Sequence, residues 1–163
     1  MKRIALILLF FFGCATTIPD GYSITKWPSG ETYEGEGRNN KRNGYGTNIW
    51  PTGERYEGTW KDDFKHGQGN WISPTGETYE GEFKYDKRNG YGTYIWPKGE
   101  RYEGEWNNNS RNGKGVNYLV NGEIQSGTWD NDTFQTQWTI EAVENFLKNK
   151  YSQFKGLNYS VLR

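Results

Sequence analysis

Three sets of residues in this chain are of types that could do chemistry: a periodic column of carboxylates, a single histidine and a single cysteine. Glu34, Glu57, Glu80 and Glu103 return every 23 residues, and Glu36, Glu82 and Glu105 follow two places on. Paired carboxylates run glycoside hydrolysis, one as acid and the other as nucleophile or base. An active site is single, whereas these acids repeat as structure repeats. They are expected on the solvated face of an alternating strand, with Arg55 and Arg101 pairing to them across strands. His66 is the only histidine. It fills the slot before Gly67 that Asn43, Asn89 and Asn112 fill elsewhere, which makes it a turn residue. One histidine and one cysteine cannot furnish a Ser-His-Asp or Cys-His set, and no metal-ligand spacing appears. Gly44-Tyr45-Gly46 and its copies open no helix, so they are not phosphate loops. No catalytic residue, metal or cofactor is expected.

Cys14 has a different use. Lys2 and Arg3 precede an unbroken apolar run from Ile4 to Phe12. The run has signal-peptide length and is too short to span a bilayer unaided. Phe11-Phe12-Gly13-Cys14 resembles a bacterial lipobox, although its two phenylalanines depart from the usual residues. Residues 1–13 are read as a signal peptide, and Cys14 as the lipidated N-terminus of a protein held at the bacterial cell envelope. A lone cysteine permits no intramolecular disulfide. Removing Lys2 and Arg3 from 20 basic residues leaves 18 against 20 acidic ones, so the mature chain is mildly acidic. That balance gives nucleic acid no general attraction.

The elements that must position everything else are set by the same period. Gly35, Gly58, Gly81 and Gly104 form one glycine column. Gly44, Gly67, Gly90 and Gly113 form another, and Gly46, Gly69, Gly92 and Gly115 a third. Tyr33, Tyr56, Tyr79 and Tyr102 form an aromatic column. A fixed period means one small unit stacked on copies of itself. Tyr56, Gly58 and Trp60 alternate with Glu57 and Thr59, which predicts a strand with one aromatic and one polar face. Residues 61–65 read as a polar turn, residues 67–72 as a second strand, and Ser73-Pro74-Thr75-Gly76 as a Pro-Gly turn. Each repeat is then a β-hairpin, and the hairpins pair into one elongated, single-layer antiparallel sheet. The glycines leave room for flat rings to lie on the backbone, so aromatics replace an aliphatic core. Similarity is strongest at twice the period: Lys41 to Gly46 recurs as Lys87 to Gly92.

Beyond the array, residues 14–26 read as a linker and 130–163 as a helical cap and tail. Thr139 to Lys150 has helical spacing, with Thr136 or Thr139 as N-cap and Gly156 as a stop. The helix is expected to cover the open end of the stack. Two sets of side chains are candidate binding surfaces. Tyr45, Trp50, Tyr91 and Trp96 form a possible exposed aromatic ladder for glycans. Lys41, Arg42, Lys87 and Arg88, in equivalent loops, would line one long edge. They would serve either phospholipid headgroups or solubility and edge protection.

Tyr56-Glu-Gly-Thr-Trp60 with Gly67-Gln-Gly69 and Gly76, and Tyr102-Glu-Gly-Glu-Trp106 with Gly113-Lys-Gly115 and Gly122, resemble the MORN repeat. Tyr79-Glu-Gly-Glu-Phe83 carries Phe for Trp, Tyr33-Glu-Gly-Glu-Gly37 lacks that aromatic, and Trp129 closes a half repeat. The resemblance covers residues 27–129. It implies an elongated, twisted antiparallel sheet used for protein association, and membrane or phospholipid binding is also described for the family. The expected function is a non-enzymatic, membrane-anchored scaffold for a protein partner. Phospholipid binding and cell-wall glycan binding stand as alternatives.

Overall fold

The computed structural model describes residues 17–151. They form eleven strands in one antiparallel sheet whose spatial order is the sequence order, followed by one helix. The strands are β1 (Gly21–Lys26), β2 (Thr32–Arg38), β3 (Lys41–Ile49), β4 (Arg55–Lys61), β5 (Phe64–Ile72) and β6 (Thr78–Lys84). They continue as β7 (Lys87–Ile95), β8 (Arg101–Asn107), β9 (Ser110–Tyr118), β10 (Ile124–Asp130) and β11 (Thr133–Gln137), and then comes α1 (Ile140–Lys150). The segment read as a linker therefore contributes β1, which pairs with β2 from Gly21↔Gly37 to Lys26↔Thr32. The sheet likewise runs past Trp129 into β11. Cys14 and the apolar run before it, and Gly156, lie outside the described residues.

Two kinds of turn alternate along the chain. Within a repeat the hairpin is tight. Asp62 and Asp63 both take positive φ (50° and 72°), as do their counterparts Asn39–Asn40, Tyr85–Asp86, Asn108–Asn109 and Asn131–Asp132. Such turns match the right-handed strand twist, and Asn and Asp tolerate the conformation. The turn is shorter than expected, so Lys41, Arg42, Lys87 and Arg88 stand in strands β3 and β7 and not in loops. Between repeats, Gly76 N–H donates to Ser73 O at 3.2 Å, and Gly76 has φ of 96°.

Alternation then sorts the side chains. Tyr56, Gly58 and Trp60 are buried, whereas Arg55, Glu57 and Thr59 are half-buried on the other side of β4. The first face carries the core: Tyr33, Tyr56, Trp60, Tyr79, Phe83, Tyr94, Tyr102, Trp106 and Trp129. Its rings meet edge to face, with Tyr56–Trp60 centroids at 4.9 Å and Tyr79–Phe83 at 5.0 Å. Edge-on geometry places positive ring edges on negative ring faces, worth about 0.5–1.5 kcal/mol per pair beyond area burial. Each tyrosine hydroxyl returns to its own strand: Tyr33 to Glu36 O, Tyr56 to Thr59 O, Tyr79 to Glu82 O and Tyr102 to Glu105 O, at 2.7–3.1 Å. Trp60 and Trp106 donate their indole N–H to Gly46 O and Gly92 O.

The helix corrects an expectation. Thr139 is the N-cap, accepting from Ala142 N–H through its hydroxyl. The helix ends at Tyr151. It does not cover the end strand. It lies on the sheet face opposite the aromatic core, where Val143 and Leu147 pack with Tyr91 and Val116. The reason is chemical: α1 has an apolar stripe to bury, and an edge strand offers only backbone polar groups.

Candidate functional site

Two surfaces of the sheet are candidates for binding, and they differ in what is left over once packing is satisfied. The basic column lies on the aromatic side, and its arginines are used up there. The Arg42 guanidinium lies 4.3 Å from the Trp60 ring and pairs with Glu31 and Asp63, each at 3.3 Å. Arg88 lies over Trp106 and Tyr94 at 4.5 and 4.6 Å and donates to Asn109 O at 2.8 Å. Arg111 repeats the arrangement over Trp129 at 4.2 Å, with Asp132 at 3.1 Å. Burial pulls the Arg88 guanidinium below its ordinary value. These arginines are intercalated structural cations. Lys41 and Lys87 remain exposed.

A clamp the sequence did not announce completes this lock between repeats. The second turn residue of each later hairpin accepts from the strand before it. Asp63 Oδ1 takes Arg42 N–H, Asp86 takes Lys65 N–H, Asn109 takes Arg88 N–H and Asp132 takes Arg111 N–H, at 2.8–2.9 Å. The signal is the Asp or Asn at positions 63, 86, 109 and 132, and the positive-φ turn accounts for those residue types by itself, so the bond to the neighbouring strand stays hidden in the sequence. Arg88→Ala should cost about 1–3 kcal/mol, because it leaves two rings and the Asn109 carbonyl without their cation. Arg88→Lys should recover little of that, since a lysine cannot lie flat on the rings while donating sideways. Urea midpoints of both variants check this.

The four aromatics expected to form a ladder are separated. Tyr45 is exposed at 55%. Trp50 and Trp96 are partly buried against the core, with Trp50 6.4 Å from Trp60 and Trp96 4.6 Å from Tyr94. Tyr91 is buried, stacked against Tyr151 with centroids at 5.3 Å. Residues at turns fold back onto whatever apolar surface is near, and strand residues keep to one face. Those two causes send the four side chains to different places.

The face opposite the core is the second surface. The carboxylate column is here, as alternation predicted. Tyr22 donates to Glu34 at 2.6 Å, Tyr45 to Glu57 at 2.9 Å, and Tyr91 to Glu103. Arg55 reaches Glu57 at 2.5 Å and Arg101 reaches Glu103 at 3.8 Å, two places along the same strand and not across strands. The Arg55 and Tyr45 bonds hold the Glu57 carboxyl below its ordinary range. The cross-strand register Ile49↔Arg55, Arg55↔Ile72, Ile72↔Thr78 and Thr78↔Ile95 lays an isoleucine on every second strand of this face. At the N-terminal end Ile24, Thr32, Glu34, Thr47 and Ile49 line a depression of about 310 Å³. His66 stands in β5 and not in a turn, because the two-residue turn closes at Asp63; its ring lies 5.2 Å from Tyr85. Among the described residues no three metal-binding side chains cluster.

The repeat columns that set this geometry are also what the family comparison detects. A MORN repeat model matches residues 33–55, 56–78, 79–101 and 102–123. No curated protein matches the chain.

Proposed function

The chain belongs to the MORN repeat family, and from that premise we propose that it is a non-enzymatic scaffold for protein association, held at the cell envelope by a lipid on Cys14. MORN repeats are in general protein- or membrane-binding modules, and the family is in general non-enzymatic. The observation that carries the protein reading is the division of the sheet. On the aromatic face the rings and arginines are engaged with one another, around a depression of about 320 Å³ lined by Lys65, Trp71, Phe83, Arg88 and Tyr94. The opposite face is covered by α1 only toward β7–β10 and keeps Tyr22, Ile24, Tyr45 and Ile49 exposed. Exposed apolar side chains gathered on one face, with polar residues among them, are what association surfaces carry.

The phospholipid alternative draws on Lys41, Arg42, Lys87 and Arg88, and half of that charge is committed to tryptophan faces. Lys41→Glu with Lys87→Glu should leave stability within about 0.5 kcal/mol. It should also leave the liposome binding of the unlipidated protein unchanged. A loss of binding to anionic vesicles in that variant favours the lipid reading. The glycan alternative has lost its ladder.

Capture of the tagged full-length protein from its native cells, after brief crosslinking, tests the scaffold reading. One stoichiometric protein partner, kept in Cys14→Ser, is the expected result. Recovery of no specific protein contradicts it.

A further inference from the structure

The seat of α1 has a copy on the same sheet. Tyr91, Arg101 and Glu103 lie in the strands beneath or beside α1. Tyr45, Arg55 and Glu57 stand 46 residues earlier, in the equivalent strands, on the same face. Both tyrosines donate to their glutamates. Over Tyr91 lies Tyr151, and Leu147 and Val143 fill the space beside it, each wholly buried. Over Tyr45 nothing of the described chain lies, and its ring is 55% exposed. The helix itself runs across the strands. It packs on β9 and β10, and at its end Lys150 and Tyr151 reach Glu105 of β8 at 2.7 and 2.8 Å. Continued past Tyr151, that line crosses β6 to β3.

The second seat is not identical to the first, and the differences say what it would take. Tyr118 is replaced by Ile72, Val116 by Asn70, Ser126 by Glu80 and Thr128 by Glu82, while Glu105, the acid that takes Lys150, is replaced by Thr59. Apolar support is thinner, and acid is added. Glu34, Glu36 and Glu80 are exposed on this face, with Glu57 and Glu82 half-buried beside them. In the occupied seat the one carboxylate at the helix terminus, Glu105, receives a lysine. The matching occupant here has an apolar stripe for Tyr45, Ile49 and Ile72 and a cation for the exposed Glu80, while Glu57 is already held by Arg55 and Tyr45.

We propose that the face of β3–β6 receives a basic amphipathic helix of a partner protein, laid across the strands as α1 is laid across β7–β10. This deepens the scaffold reading and rests on it. Recognition is helix on sheet: apolar anchors at three- and four-residue spacing give the contact, and the acidic surround gives sign selectivity and rate.

The test uses the full chain and two labelled peptides of about 18 residues with the same leucine stripe, one with lysines and one with glutamates on its polar face. Anisotropy titration at low salt should show the lysine peptide binding about tenfold more tightly. Glu57→Lys with Glu80→Lys should weaken that peptide about tenfold, and Tyr45→Ala should weaken it without changing the thermal midpoint, since its ring is exposed. Equal binding of the two peptides overturns the proposal, as does binding indifferent to all three substitutions. Dimerisation of the chain lost in these variants would make a second copy the occupant. Binding that strengthens when the chain is ended at Tyr151 would make residues 152–163 the occupant. Either result also overturns it. If cell capture yields a partner while the peptide test fails, the scaffold reading stands and this inference alone falls.

Discussion

Gly92→Val should unfold the protein or remove most of its stability. Gly92 pairs with Gly81 on one side and Gly104 on the other. A Cβ at Gly92 would come 2.6 Å from Cε2 of Tyr79, and one at Gly81 would come 2.5 Å from the Gly92 Cα. The ring cannot retreat. Tyr79 is wholly buried, its hydroxyl is bonded to Glu82 O at 3.0 Å, and Phe83 and Trp106 hold it edge-on at 5.0 and 5.6 Å. Overpacking by a few methyl groups costs about 1–3 kcal/mol where neighbours can shift. Here they are fixed on three sides, so alanine should reach the top of that range and valine exceed it. A domain has only about 5–15 kcal/mol to lose. Gly76 is the control, because nothing lies within 4 Å of its would-be Cβ. Gly76→Asn meets only the positive φ of its turn and should cost about 1 kcal/mol. Urea midpoints decide: a Gly92→Val midpoint no lower than that of Gly76→Asn would mean the ring does not rest on the backbone as described.

Alkali should unfold the array through the same tyrosines. Burial pushes the Tyr33 hydroxyl up to about 12, and it pushes Tyr56, Tyr79 and Tyr102 higher. In the unfolded chain each ionises near the ordinary value of 10.0. Below that pH both states keep their protons and stability is flat. Above it the unfolded chain releases protons that the folded chain holds, so stability is lost as pH rises toward the folded-state values. Each tyrosine so held removes about 1.4 kcal/mol per pH unit, and Tyr79 and Tyr102 together about twice that. Denaturant midpoints should be level up to about pH 9, begin to fall near about pH 10 and fall steeply by about pH 11. A level midpoint through about pH 11 would show that these hydroxyls ionise in place.

Much of this was legible because the constraints are local and repeated. Tyr56-Glu-Gly-Thr-Trp60 shows alternation, and Gly58 between two rings has a steric reason that needs no tertiary context. The Pro-Gly turn at residues 73–76 was likewise readable from its residues alone. What escaped reading depended on neighbours. Thr139 could be placed as an N-cap, but the seat of α1 required knowing that Val116 and Tyr91 share a face across three strands. Arg42 and Arg88 looked like surface charge, because their tryptophan partners, Trp60 and Trp106, are 18 residues further on and meet them only through strand register. Residues 21–26 repeat residues 44–49 of β3 in degenerate form: Gly21-Tyr22 stands where Gly44-Tyr45 does one period later, with the same positive φ and the same tyrosine bond to a glutamate of the next strand, but Ser23 replaces the second glycine, which hides β1 in the sequence.

The uncovered face is the central claim, and a photo-crosslinking side chain placed at position 45 tests it most directly. Benzoylphenylalanine in place of Tyr45 in the full-length protein, irradiated in native cells, should give an adduct with one protein. The same group in place of Tyr85, exposed at a hairpin tip, should give none. Adducts from position 85 alone, or lipid in place of protein at position 45, would contradict the account.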